Sequence, residues 1–92
     1  MTSADPYTVT FTPAARRRLS RLPLPAATAL HEHLTGPVAS NPHRLGKPLD
    51  APFEDVLATR RGDYRALYTV DDDARVVTVL AVAHRRDAYR PR

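Results

Sequence analysis

The sequence predicts a small α+β domain in which one sheet packs against a pair of helices. The N-terminal part carries two short apolar stripes at helical spacing, each next to prolines. The second half carries apolar runs rich in β-branched residues, separated by short polar turns. A chain of 92 residues supports one small core, so we expect a single domain spanning 1–92, with 1–6 and 90–92 as flexible ends.

A strand and the start of a helix are predicted near the N-terminus. Residues 7–11 alternate between apolar side chains and threonine, which is typical of a strand with one buried face. Thr12 and Pro13 follow at once, and threonine at an N-cap with proline at the first helical position favours a helix start. Pro23 ends this helix, because proline lacks the N–H that a helix interior needs.

A second helix is predicted to open at Pro25 and to weaken or end at Gly36-Pro37. The connection between the two helices is so short that an antiparallel hairpin is the simplest arrangement. Each helix carries an apolar stripe that we expect to be buried, formed by Ala15, Leu19 and Leu22 in the first and by Ala26, Leu30 and Leu34 in the second.

The second half predicts an antiparallel three-stranded meander that forms one sheet with the N-terminal strand. Residues 40–52 contain three prolines and one glycine and are interpreted as a long connection. The third strand is apolar on both sides, which favours a central strand covered on both faces. The strands are predicted over residues 54–60, 64–70 and 75–84, with tight turns at Arg61-Gly62 and at residues 71–73.

Composition excludes several classes of function. The chain has no cysteine, which rules out disulfide scaffolds, thiolate metal sites and cysteine nucleophiles. The histidines do not combine with carboxylates at metal-binding spacing, and no phosphate-binding glycine loop is present, so we expect no metal and no cofactor. No apolar run reaches the roughly 18 residues of a membrane helix and no signal peptide begins the chain, so we expect a cytoplasmic protein without membrane contact.

The charge balance favours a polyanionic partner. Lysine and arginine number 14 against 10 acidic residues, giving a formal net charge of +4. Lys47 is the only lysine, so the cations are almost all arginine, whose planar donor fork matches phosphate. GC-rich coding also favours arginine, so the bias alone does not establish such a partner.

Arg65 is the first candidate functional residue. Alternation along its predicted strand separates one face, carrying Tyr64, Ala66, Tyr68 and Val70, from the other, carrying Arg65, Leu67 and Thr69. A guanidinium in the middle of a sheet is costly without a partner. Arg65 therefore either pairs with an acidic group or reaches the sheet rim, or it binds an anion from a rigid strand.

The segment 84–92 is the second candidate. It contains five residues with a cationic or titratable imidazole side chain, and the ring of Tyr89 can stack on a base. His84 can act as a general acid or base near neutral pH. The alternative is a solvated basic tail without a specific role.

These residues resemble a known family. Residues 60–71, which read Arg-Arg-Gly-Asp-Tyr-Arg-Ala-Leu-Tyr-Thr-Val-Asp, are similar to the signature strand of RelE-type toxins. The ending over 79–89, with His-Arg-Arg-Asp-Ala-Tyr, and the linker over 41–49 resemble the same family, especially its actinobacterial members. The likeness extends over 7–89 with matching element order, and it implies a RelE-like fold.

RelE-type proteins are ribosome-dependent endoribonucleases that cut mRNA in the decoding site. The resemblance implies metal-independent attack of a ribose 2′-hydroxyl on the adjacent phosphate, with cationic side chains stabilising the developing charge. It implies that Arg65 and Arg85 hold the scissile phosphate, that Tyr89 orients the attacked nucleotide, that His84 transfers a proton, and that Arg60, Arg61, Arg86 and Lys47 contact RNA.

The chain departs from this family at one strand. Val56 and Ala58 stand where the best-studied relatives carry lysines, and Glu54 or Asp55 is the alternative that would correspond to the glutamate base of the YoeB-like branch. Two alternatives to the nuclease therefore stay open. One is a non-enzymatic, ParE-like toxin that binds DNA gyrase, and the other is a catalytically degenerate toxin that only binds its antitoxin.

The resemblance also implies partners. A small, acidic, RelB-like antitoxin would supply counter-charge to the arginine-rich face and could wrap the helical hairpin. The ribosome and mRNA are the expected targets. We expect DNA to be bound only indirectly, through the antitoxin complex, because nothing in this chain resembles a recognition helix.

Overall fold

The computed structural model describes residues 6–88, which form an α+β fold with one mixed sheet. The second helix, Leu24–His33, continues into a π-helical turn over Leu34–Val38. The elements in chain order are β1 (Thr8–Phe11), α1 (Pro13–Ser20), α2 (Leu24–His33), α3 (Pro42–Leu45), β2 (Lys47–Pro48), β3 (Leu57–Arg61), β4 (Tyr64–Asp71), β5 (Val76–His84) and α4 (Arg85–Ala88).

The strand order in the sheet is β1-β5-β4-β3-β2. The predicted meander is confirmed, because β3, β4 and β5 pair antiparallel in sequence order. Strand β1 lies parallel to β5, with Thr8 opposite Val76 and Phe11 opposite Val79. The first and last strands of the described residues are therefore direct neighbours.

The N-terminal signals act as predicted. The Thr12 hydroxyl accepts a hydrogen bond from the Ala15 N–H at 3.1 Å, and Pro13 occupies the first turn of α1. Helix α1 ends at Ser20, before Pro23, and α2 begins at Leu24, one residue before Pro25. Proline pre-sets the helical φ at such positions, so these local signals suffice to place the starts of the two helices.

The predicted connection over residues 40–52 is wrong in part, since it contains α3 and β2. Pro42 lies in the first turn of α3, and its carbonyl accepts a hydrogen bond of 2.6 Å from the buried hydroxyl of Tyr68. Gly46 then packs against Tyr68 and Leu57. Long-range contacts with the sheet therefore order a segment whose composition is typical of a loop.

The predicted strand and turn boundaries also need correction. Strand β3 begins at Leu57 rather than at residue 54, because the N–H of Val56 bonds back to the carbonyl of Phe53 at 3.0 Å and holds this stretch in turns. The turn between β3 and β4 lies at Gly62 and Asp63 instead of Arg61-Gly62. Gly62 has φ +64°, a left-handed conformation that glycine adopts at little cost.

The core lies between the helices and one face of the sheet. Leu30 and Leu34 of the predicted stripes are fully buried with Ala15, whereas Leu19 and Leu22 pack at its margin and Ala26 is partly exposed. The sheet contributes Leu57, Ala66, Tyr68, Val77, Val79 and Val82. Since Ala66 and Tyr68 face the core, Arg65 and Leu67 point to the opposite face, which we call the open face.

A β-bulge in β5 decides which of its side chains reach the open face. The register between β4 and β5 jumps from Leu67 opposite Ala81 to Tyr68 opposite Val79. No residue of β4 therefore lies opposite Leu80. The Thr12 hydroxyl donates to the Leu80 carbonyl at 3.1 Å and satisfies the displaced backbone there. Beyond the bulge, the alternation of side chains between the two faces of the sheet is reversed. Val82 therefore faces the core, and Ala81 and Ala83 face away from it. Ala81 and Ala83 thus line a cavity on the open face, where the sequence predicted a covered strand.

Candidate active site

A basic groove crosses the open face with Arg65 at its centre. In register, Arg65 lies opposite Arg60 of β3 on one side and Ala83 of β5 on the other. Two adjoining cavities share the Arg65 side chain. The first, of about 370 Å³, is lined by Leu45, Lys47, Pro48, Leu49, Ala58, Thr59, Arg60 and Arg65. The second, of about 240 Å³, is lined by Leu49, Arg65, Leu67, Ala81 and Ala83.

Strand β2 brings Lys47 into this groove. Lys47 pairs with Ala58, and cross-strand partners point to the same face. Ala58 and Arg60 are two residues apart on β3, so Lys47, Arg60 and Arg65 share the open face. Among the described residues that line the two cavities, none is acidic. The groove therefore combines three cations with aliphatic walls, which suits an anionic ligand that also has apolar surface.

Arg85 lies at the rim of the sheet, next to the β3–β4 turn. Its backbone N–H donates to the Asp63 carbonyl at 2.7 Å, and its Nε lies 3.7 Å from the Asp63 carboxylate. The two side chains are 56% and 66% exposed, so this ion pair contributes little free energy. A phosphate can thus replace Asp63 as the partner of Arg85 at small cost. Sequence reasoning missed Asp63, because only the register of β4 and β5 shows that the two residues meet.

The structure does not place His84 beside Arg65. His84 lies opposite Tyr64, and the two rings meet edge to face at 5.1 Å and 89°. Tyr64 shares the helix-covered face, so His84 and Arg65 lie on opposite faces of the sheet. The N–H of Arg86 donates to His84 Nδ1 at 3.1 Å, so a neutral imidazole carries its proton on Nε2. His84 therefore caps the start of α4, a role that the sequence did not predict.

The other predicted RNA contacts divide between the two faces. Arg61 pairs with Tyr64 and lies on the helix-covered face, whereas Arg60 lies in the basic groove. Arg86 is exposed near the rim. Tyr89 lies outside the described residues, so its expected role stays a prediction.

His33, which packs against Thr59 of β3, makes the stability of the folded protein depend on pH. Its Nε2 lies 2.8 Å from the hydroxyl of Thr59, which is buried. Burial, helped by the charge of Arg61, lowers the pKa of His33 below its ordinary 6.5.

The folded protein therefore binds the His33 proton more weakly than the unfolded chain does. We expect the His33 contribution to be complete above about pH 6.5 and to be lost as the pH falls from there towards the lower, folded pKa. Urea unfolding between about pH 5 and 7.5 measures this, and His33→Gln should flatten the slope. An unchanged slope in that variant would contradict the assignment.

Known toxins resemble this chain in sequence over nearly its whole length. The sequence profile of the family described as ParE toxin of type II toxin-antitoxin system, parDE, matches residues 9–89. Toxin RelE of Mycobacterium tuberculosis is 44% identical over 90 residues, which cover 98% of this chain and 93% of that protein. This chain belongs to the RelE/ParE family of type II toxin–antitoxin toxins.

Further relatives place this RelE-type toxin within that family. Toxin RelG of M. tuberculosis is 45% identical over 85 residues, covering 92% of this chain and 98% of that protein. The crystal structure of the toxin–antitoxin complex RelBE2 from the same organism contains a chain that matches with a TM-score of 0.82 at 43% identity, over 86% of this chain and 91% of that one. The predicted family and the RelE-like fold are therefore confirmed.

Residues 6–88 of this toxin contain neither a membrane-spanning helix nor a cluster of metal-binding side chains. No helix there has the length and apolar character needed to cross a membrane. Within the same residues, no three histidine or acidic side chains gather into a group that could hold a metal ion.

Proposed function

We propose that this RelE-type toxin is a ribosome-dependent mRNA endoribonuclease that cuts in the decoding site and so inhibits translation. The basic groove around Arg65 supports the proposal, because it offers guanidinium donors on a rigid strand at a place where a phosphate can enter. Rigid elements position catalytic groups better than loops do. The reaction proposed is metal-independent attack of a ribose 2′-hydroxyl on the adjacent phosphate.

Charge stabilisation is the main task of the protein in such a reaction. The phosphate gains negative charge as the 2′-oxygen attacks, and donors fixed in advance at that point lower the barrier. Arg65 would hold the scissile phosphate from the floor of the groove, and Arg85 would approach it from the rim after leaving Asp63. Tyr89 would orient the attacked nucleotide, and Arg60 would contact an adjacent phosphate.

The expected proton transfer by His84 is not supported by its placement, since the sheet separates it from Arg65. The Arg86 N–H also occupies the Nδ1 lone pair. We therefore assign no proton transfer to His84, and keep Arg61 and Arg86 as the contacts with flanking RNA that the family resemblance implies.

We also propose a RelB-like antitoxin as the partner of this toxin. The related toxin in the RelBE2 structure was solved in a toxin–antitoxin complex. A small acidic antitoxin would match the net charge of +4 and would compete with RNA for the basic groove. Binding to DNA would come from the antitoxin in that complex.

Cleavage of mRNA on programmed ribosomes by purified, antitoxin-free protein tests the nuclease. We expect cuts that require the ribosome, that survive treatment of the enzyme with EDTA, and that Arg85→Ala slows by about a hundredfold. A folded protein that cuts nothing would refute the nuclease. Inhibition of DNA supercoiling by that protein would then favour the gyrase-binding alternative, and its absence the degenerate one.

A further inference from the structure

We infer that Lys47 is the general acid of the proposed reaction and protonates the departing 5′-oxygen. This inference rests on the proposed nuclease and deepens it, because it assigns the proton donor that the groove must contain. It starts from the pairing of Lys47 with Ala58 in β2, a strand that sequence reasoning placed in a connection.

The chemistry of cleavage requires such a donor. Attack forms a bond between the 2′-oxygen and phosphorus, and the bond between phosphorus and the 5′-oxygen breaks. The 2′-hydroxyl proton goes to solvent water, and the 5′-oxygen leaves with the electron pair of the broken bond. An alkoxide is a poor leaving group, so a proton delivered to it speeds this step. The products are a 2′,3′-cyclic phosphate and a 5′-hydroxyl, and the donor recovers its proton from solvent.

Among the described residues that line the groove, Lys47 is the one side chain suited to this transfer. Arg60 and Arg65 stay protonated throughout, because guanidinium groups do not lose a proton in proteins. Thr59 contributes to the wall, but its hydroxyl is bonded to His33 on the opposite face. The other lining side chains are aliphatic or proline. An ammonium on a flexible stem can instead release and regain a proton.

Position supports the same assignment. Lys47 and Arg65 line the same 370 Å³ cavity, on the two sides of Ala58 and Arg60 of β3. A phosphate held by Arg65 thus lies in the cavity that the Lys47 side chain enters. Lys47 is exposed on a two-residue edge strand, so replacing it removes no buried contact of the core.

Lys47→Arg separates proton donation from charge, because arginine keeps the charge but does not release a proton. Each variant is tested on programmed ribosomes with two mRNAs, one unmodified and one with sulfur in place of the 5′-bridging oxygen at the cleavage site. A thiolate leaves without protonation, since a thiol is a far stronger acid than an alcohol. We expect Lys47→Arg and Lys47→Ala to cut the unmodified mRNA about a hundredfold more slowly, and the sulfur mRNA within a few-fold of the unchanged toxin.

Two control variants separate loss of proton donation from loss of phosphate binding and from a general loss of positive charge. Arg65→Ala should stay slow on both mRNAs, because its proposed role is to hold the phosphate. Arg44→Gln removes an exposed cation of α3 that does not line the groove, and it should cut both mRNAs normally.

Three outcomes would overturn the inference. If Lys47→Arg cuts unmodified mRNA at the unchanged rate, Lys47 contributes only charge. If the Lys47 variants are slow on the sulfur mRNA as well, the residue acts in binding or folding. If the unchanged toxin cuts neither mRNA, the proposed nuclease itself fails, and this result is distinct because it appears before any substitution is made.

Discussion

Arg65→Ala is expected to lower the rate of mRNA cleavage by at least about a hundredfold, with the fold intact. Arg65 lines both cavities of the basic groove, so its removal takes the central cation from the place where the phosphate would gain charge in the proposed reaction. Its side chain lies on the open face, away from the core, and truncation leaves no core cavity. Single-turnover cleavage on programmed ribosomes measures the rate, and loss of growth arrest in cells gives a second readout.

The effect of Arg65 can be separated from a general loss of charge. Arg65→Lys keeps the charge but loses the bidentate fork, so we expect a rate between those of Arg65→Ala and the unchanged toxin. Arg44→Gln removes the same unit of charge outside the groove and should leave the rate unchanged. A folded Arg65→Ala variant that cuts at the unchanged rate would show that this arginine has only a structural partner.

Gly46→Ala is expected to lower the free energy of unfolding by roughly 3 kcal/mol, the largest stability effect that we predict. A Cβ at this position would overlap the Tyr68 hydroxyl and would lie 2.8 Å from Tyr68 Cζ and 2.9 Å from Leu57 Cβ. Tyr68 cannot easily move aside, because it is fully buried and its hydroxyl bonds to the Pro42 carbonyl at 2.6 Å. Urea unfolding measures the change.

Two further variants check the cause of this loss. Gly36→Ala adds the same methyl group within the π-helical turn, where nothing lies within 4 Å, and should leave stability unchanged or slightly higher. Tyr68→Phe alone should cost about 1–2 kcal/mol, because the Pro42 carbonyl loses its donor. Combined with Gly46→Ala it should cost less than the sum of the two, since the overlapping oxygen is gone. Strict additivity would contradict the overlap.

Tyr68 also shows how tightly this contact is enclosed. Burial raises the pKa of Tyr68 to about 12, so the phenol stays protonated and keeps donating to Pro42 throughout the neutral range.

The elements that sequence reasoning predicted correctly depend on local signals. Thr12 and Pro13 start α1 through contacts within one turn, and the apolar stripes of Leu30 and Leu34 follow from helical spacing alone. The face of β4 that carries Arg65 follows from simple alternation. Each of these features is set by residues that are near one another in the chain, so a local sequence pattern is enough to predict it.

What sequence reasoning missed depends on contacts across the fold. Simple alternation from Val79 would place His84 on the face of Arg65, but the bulge at Leu80 reverses the alternation, and Thr12 holds that bulge from another element. Strand β2 has only two residues, too few for a periodic signal, and it exists because Lys47 pairs with Ala58. The two differences decide which side chains meet the phosphate in the proposed site.

The pairing of β1 with β5 has a consequence for synthesis of the protein. Strand β1 leaves the ribosome first, yet its partner in the sheet ends at His84 of a 92-residue chain. Contacts between such distant segments form late, because the loop between them must close first. The sheet that carries the basic groove is therefore completed only after β5 has been made. Until β1 pairs with it, the nascent chain has only the meander of β3, β4 and β5 to form.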